Sequence, residues 1–297
     1  MTGPLTDLPL VVGVDGSEES YGAVDWAADE AALRGVPLRL VYASLWEQYE
    51  GGALAHDLGR ITDRILADTI VGAAAERAHR RQVGVKVTTE VLPERPVTVL
   101  LREGHDASAL VLGTRGRSGL TELLLGSVSL AVAGRAECPV IVVGRGPERR
   151  PGIRTEQRVV LGIGDETSPA AVDFAFRAAA GRDATLRAVR AWRCPAHEST
   201  DHPLLAGEPA RLHEQQAAEV LETALRAAAA RHPSVRVRRH TVEGPARKVL
   251  VEASRDADLL VVGARRREGH FGLQLGRVAH AALHHAACPV AVVPQRV

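Results

Sequence analysis

Only three of the 297 residues are cysteine: Cys138, Cys194 and Cys288. Two of them precede a Pro-Val pair in apolar, strand-like runs, where a cysteine serves as a small buried apolar residue, so neither a disulfide framework nor a thiolate metal site is expected. Excess charge of one sign is also missing. Thirty-seven basic residues face 36 acidic ones, leaving a net charge of +1 with His neutral, and no global field recruits nucleic acid or an anionic membrane. Long apolar runs are absent as well: the uncharged stretch 123–134 is too short to span a bilayer. The opening MTGPLTDLPL lacks a basic region followed by an apolar core. A cytoplasmic chain without a membrane partner is the expectation.

Catalytic signatures are equally scarce. There is no Gly-x4-Gly-Lys-Ser/Thr loop, and Gly162-Ile-Gly164 lacks the third glycine of a dinucleotide fingerprint. No nucleophile elbow or matched acid–base set appears, so no catalytic residue is assigned. His280, His284 and His285 crowd one helical turn, but no Cys or carboxylate completes a metal set around them, and no metal is expected.

What is present is a duplication. With 45% apolar and 25% charged residues the chain can bury a core, and its length suits two domains. Residues 111–143 align without a gap onto 261–293 at an offset of 150, with 16 of 33 positions identical. The openings correspond too, LVVGVDGS near residue 10 with VVLGIGDE near residue 160. The stretch GRGPERRPGIRTEQ, 144–157, is rich in Gly, Pro and charge without apolar periodicity, which marks a linker between domains 1–143 and 158–297.

Each half alternates short β-branched apolar runs with longer Ala- and Leu-rich runs of helical spacing. Strands are expected at 10–14, 38–43, 85–91, 109–112 and 140–143, and again at 159–163, 185–191, 235–240, 259–262 and 290–293. Helices are expected in the first half at 18–34, 57–81, 97–103 and 123–135. Fully apolar strands need both faces covered, which predicts an α/β fold of two tandem, doubly wound, five-stranded parallel sheets of Rossmann-like form. Ligands of such sheets sit at the carboxyl ends of the strands.

Two segments lie at such ends. In VLGTRGRSGLTELLLGSVS, 111–129, Gly113 and Gly116 are followed nine residues later by Gly126-Ser127. Glycines after a strand let backbone N–H groups approach a phosphate, and a helix starting near Ser127 would add its positive end, with the Ser127 and Ser129 hydroxyls as further donors. Arg115 and Arg117 lie in the loop, either neutralising phosphate or solvated. The alternative is a plain turn and a close helix contact. The second segment is Val14-Asp15-Gly16-Ser17, where Asp15 is placed to accept from a ligand amino or hydroxyl group. An Asx turn with Ser17 as helix cap is the competing reading.

Together these residues resemble the universal stress protein family, whose ATP-binding members carry a strand-end Asp and a Gly-x2-Gly-x9-Gly-Ser/Thr loop. The tandem arrangement resembles two-domain members found in actinobacteria, with an adenine nucleotide alpha hydrolase-like fold. The resemblance implies that Asp15 holds the adenine, that the backbone around Val41 contacts the adenosine, and that Gly113 through Ser129, including Val128, wraps the phosphates of ATP, with or without Mg. It also implies pairing of the last strands of the two halves, and homodimerisation through edge strands is compatible with it.

The second half departs from this pattern. Gly164 stands in place of Asp15, Arg266 in place of Gly116 and Arg277 in place of Ser127, while Asp165 can substitute for the lost carboxylate only if the turn shifts by one residue. Normal ATP binding is not expected there, although the Arg265–Arg267 run can attract an anion. Three functions stay open: a nucleotide-dependent stress or regulatory module with an unknown protein partner, a slow ATPase or nucleotide-using transferase, and a ligand-free scaffold. The stretch 46–49 is either a lid over the site or surface packing.

Overall fold

A computed structural model of the chain describes residues 8–44, 53–116, 125–144, 157–165, 167–194, 208–264 and 275–295. The stretch 46–49, read as either a lid or surface packing, Arg117, Arg265–Arg267 and most of the linker lie outside them. The chain divides near Arg145 into two compact units. No helix among the described residues is long and apolar enough to cross a membrane.

The first unit runs β1 (Leu10–Gly13), α1 (Glu18–Arg34), β2 (Leu38–Ala43), α2 (Ala53–Arg81), β3 (Val87–Leu92), α3 (Pro96–Glu103), β4 (Ala109–Gly113), α4 (Ser127–Arg135) and β5 (Val140–Val143). The second repeats it: β6 (Arg158–Gly162), α5 (Pro169–Gly181), β7 (Thr185–Trp192), α6 (Glu208–Arg231), β8 (Val237–Glu243), α7 (Ala246–Ser254), β9 (Leu259–Ala264), α8 (Arg277–His285) and β10 (Val290–Pro294). Strands are parallel, in the order β3-β2-β1-β4-β5 in the first unit and β8-β7-β6-β9-β10 in the second. This is the doubly wound arrangement, and the chain reverses direction of winding between β1 and β4 and between β6 and β9. Crevices for ligands open at the carboxyl ends there.

Most boundaries agree with the sequence reading to within two residues. The largest differences are of four residues, at the starts of two helices: α2 begins at Ala53 instead of 57, and the other lies at 123–135. Apolar spacing suggested a helix from residue 123, whereas α4 begins at Ser127, because Gly126 takes an extended conformation (φ −61°, ψ 143°) and acts as its N-cap. β3 and β8 start two residues later than their apolar patterns do.

Packing explains why the inner strands are so apolar. Every residue of β4 and β5 is buried, since helices cover both faces. Alanines make the close helix-on-sheet contact possible: Ala23, Ala27, Ala28 and Ala31 of α1 are fully buried, as are Ala171, Ala175 and Ala179 of α5. Two bidentate pairs, Arg77 with Asp25 and Arg81 with Asp29, tie α2 to α1 at 2.7–2.9 Å. Hydrogen bonds to those carboxylates hold both guanidinium pKa values above their ordinary range.

The units differ in the charges around one shared sheet arginine. In the first, Arg39 of β2 makes ion pairs with Glu90 and Glu103. Val41 and Val189 accept equivalent strand-end N–H bonds, so Arg39 corresponds to Arg187 of β7. That arginine faces Arg238 in register, one pleat from His240. Burial, then the two arginines, push the His240 pKa below its usual value.

Two predictions follow from this packing. Phe176 of α5 is fully buried and stacks on His232 with ring centroids 5.8 Å apart, so Phe176→Ala is expected to cost about 3–5 kcal/mol in urea unfolding. For His240 the unfolded chain takes up the proton first, near pH 6.5, so stability is lost as pH falls from there through the lower folded pKa. His240→Gln is expected to flatten the acid limb of a stability-versus-pH curve and to leave its neutral limb in place.

Candidate nucleotide site

The site grows out of the turn that follows β1. Gly16 has φ +83°, and a Cβ there would also lie 3.0 Å from Ile70 of α2, so both backbone strain and space select glycine. Asp15 Oδ1 accepts from the Ser17 N–H at 3.0 Å and from the Ser17 hydroxyl at 2.6 Å. Ser17 Oγ in turn accepts from the Ser20 N–H at 3.2 Å, capping α1. The Asx turn and cap weighed in the sequence are therefore present. They engage Oδ1 of Asp15, while Oδ2 lies toward the loop after β4.

That loop is built by close approach. A Cβ on Gly113 would sit 2.8 Å from the carbonyl carbon and oxygen of Glu19, so the first turn of α1 rests directly on the end of β4. A Cβ on Gly116 would sit 2.4 Å from Asp15 Oδ2. The Gly126 N–H donates to Thr114 O at 2.7 Å, closing the loop at its base. The Ser17 hydroxyl also lies 3.4 Å from Arg115 O. Asp15, Gly16, Ser17, Gly113, Arg115, Gly116 and Gly126 thus form one interlocked group.

Above it stands the start of α4. Gly126 offers no side chain to cap the helix, and an α-helix leaves its first N–H groups without intrahelical partners. The amides of Ser127, Val128 and Ser129 occupy that turn, with Ser127 exposed. An anion at this end meets N–H donors and the positive end of the helix dipole.

Two expected contributions need correction. The Ser129 hydroxyl is not offered to a ligand: it is buried and donates to Gly113 O at 2.7 Å. Ser129 is a tie between α4 and β4, and only its amide belongs to the helix end. Val41 is buried in the sheet, and its carbonyl already accepts the Val14 N–H at 2.9 Å, so a ligand reaches that oxygen only as a second donor. Val14 itself is buried and serves by fixing the strand end.

Three contributors escaped the sequence reading. Ser20 is buried, and its hydroxyl donates to Ser17 O at 2.8 Å while receiving the Asp15 N–H at 3.4 Å. Ile70 closes over Gly16, and Thr114 supplies the clamp carbonyl. A Ser three residues after a helix cap was a signal for the first. No local signal marks the other two, which act through tertiary contact and a main-chain oxygen.

The second unit keeps the sheet, and its described residues do not repeat the interlock. Among them, a Cβ on Gly263 would make only ordinary contact, 3.8 Å from Ala171 Cβ, and one on Gly276 would meet nothing within 4 Å. Ala279 replaces Ser129, removing the tie. Gly164 binds Thr167 through its N–H at 2.6 Å. Asp165 points outward and pairs with Arg190. The rings of His280 and His284 are 4.4 Å apart, and among the described residues no three His, Cys, Asp or Glu side chains gather as metal ligands.

Removing the tie in the first unit leaves the Gly113 carbonyl without its buried donor, which costs about 1–3 kcal/mol. Ser129→Ala is therefore expected to lower the unfolding free energy read from urea denaturation by that amount. Gly113→Ala is expected to be more damaging, because the neighbour in its way is helix backbone.

Comparison with known proteins follows the same division. The universal stress protein family model matches twice, at residues 9–144 and 156–294. The chain is 35% identical over 306 residues to the universal stress protein Rv2005c of Mycobacterium tuberculosis, covering 99% of this chain and 100% of that one. With Rv1996 of the same organism the identity is 33% over 316 residues, covering 99% and 98%. Among solved structures, a universal stress protein from Archaeoglobus fulgidus shares the fold, with TM-score 0.67 at 16% identity over 97% of this chain and 98% of that one. The chain belongs to the universal stress protein family and carries its domain twice in tandem.

Proposed function

We propose that the first unit binds one ATP and that this occupancy makes the chain a nucleotide-dependent regulatory module of the cytoplasmic stress response. The observation that carries the reading is the contact between Gly116 and Asp15 Oδ2, too close for any Cβ. It sets a carboxylate acceptor beside a glycine loop and the bare N-terminus of α4, which suits a ligand with a donor-bearing base at one end and phosphates at the other. Asp15 accepts from the nucleoside, the amides of Ser127, Val128 and Ser129 and the Ser127 hydroxyl donate to phosphate oxygens, and Arg115 adds positive charge. Any Mg2+ would be carried on the phosphate oxygens, since Asp15 is the one carboxylate assigned to this site.

Regulation needs ATP to bind one conformation better than another. The site supplies a means, because a phosphate bridging Gly116 to the α4 amides adds a second link beside the Gly126–Thr114 hydrogen bond. An assembled acid–base set is lacking among the described site residues, so binding without steady turnover is the reading favoured over an ATPase or transferase. Homodimerisation through a strand edge and recognition by a regulatory protein belong to the same proposal.

Calorimetry with ATP on the intact chain, with phosphate release followed in parallel, tests it. One site per chain is expected. Gly116→Ala and Ser127→Ala, each confirmed folded, are expected to weaken binding roughly ten- to a hundredfold, the equivalent of one hydrogen bond to a charged group. Absence of binding at millimolar ATP overturns the proposal, and steady phosphate release moves the first unit to the enzymes.

A further inference from the structure

The second unit has not merely lost the first unit's features; it has acquired donors at the corresponding strand ends. Equivalent hydrogen bonds, Val14 N–H to Val41 O and Ile163 N–H to Val189 O, place Arg190 where the first unit has Tyr42, and Trp192 where it has Ser44. Both are at the carboxyl end of β7, two residues apart and hence on one face of the strand, with Cα atoms roughly 6–7 Å apart. This is the end of the sheet at which doubly wound folds hold their ligands.

Arg190 is largely buried, with 14% of its side chain exposed. Its guanidinium leans toward β6, reaching Ile163 O at 3.4 Å and the carboxylate of Asp165. Its Nε is buried and meets no acceptor among the described residues, and the same holds for the indole Nε1 of Trp192. Buried N–H groups are nearly always paired, so two such donors on one strand end call for an acceptor that the described residues do not supply. Asp165 is 84% exposed, a solvent-screened partner that an incoming oxyanion can displace.

We infer that the strand ends of β6 and β7 in the second unit form a site for a small oxyanion, carboxylate or phosphate, held by Arg190 with Trp192 Nε1 as a second donor and Asp165 as a displaceable internal competitor. The chemistry is the reverse of the first unit's. There a carboxylate, Asp15, stands at the end of β1 as an acceptor; here Gly164 holds that place and a guanidinium fills the crevice as a donor. The inference does not depend on ATP binding by the first unit, and a guanidinium fork suits both planar carboxylates and phosphate.

Inorganic phosphate and acetate, titrated separately into the full chain, test the site through the indole N–H signals in 1H–15N correlation spectra. The sequence has three tryptophans, and Trp192→Phe assigns the relevant peak. The Trp192 signal is expected to move saturably with at least one of the two anions, and which one moves it identifies the ligand class. Arg190→Gln, with its spectrum confirming the fold, is expected to weaken the response at least tenfold. Asp165→Asn, a change at an exposed side chain, is expected to strengthen it severalfold by removing the competitor. Asp15→Asn is expected to leave it unchanged. A Trp192 signal indifferent to both anions, or a response that survives Arg190→Gln or weakens in Asp165→Asn, overturns the inference.

Discussion

The first unit's site depends on how closely the end of β4 can approach the first turn of α1. At Gly113 the two backbones meet with no room for a Cβ, and two turns of consequence follow from that contact. It fixes the start of α1, and with it the Ser17 cap and the orientation of Asp15. It also fixes where the loop leaves the sheet, so that Gly116 arrives against the same carboxylate. Ser129 holds the far side by donating to the Gly113 carbonyl, and the helix end is thereby aimed at the crevice between β1 and β4.

The second unit shows what happens when that approach is relaxed. Its sheet order and helices are the same, which follows from apolar strands and alanine-lined helices that both halves share. Among the described residues, Gly263 and Gly276 meet no neighbour close enough to require a glycine. Ala279 has no hydroxyl to give, and Gly164 has no carboxylate to hold. Basic residues stand at Arg190 and Arg238, where the first unit has Tyr42 and Thr88. A fold is preserved by its core, while a site is preserved only by a few contacts that can be lost one at a time.

Much of this was legible in the sequence. The parallel, doubly wound sheets follow from β-branched runs without polar alternation, and the duplication sets their number. The glycine spacing located the loop, and the substitutions at 164, 266 and 277 separated the two halves. Three things were not legible. The start of α4 was masked because Leu123 to Leu125 continue the helical apolar pattern, while only Gly126 and its bond to Thr114 set the break. Ser129 read as a ligand donor because a hydroxyl in a phosphate loop and a hydroxyl tying two elements have the same sequence. Ile70 is fifty-four residues from Gly16, and no local pattern links them.

The two units share a fold, and the proposal that only the first binds nucleotide is what most needs a direct test. Mapping the backbone amide shifts of the full chain on addition of ATP tests it most directly. Saturable changes at Gly113, Gly116 and Ser127–Ser129, with Gly263 and 276–279 unmoved, are predicted. Parallel changes at the equivalent amides of the second unit, or none in the first, would contradict the account.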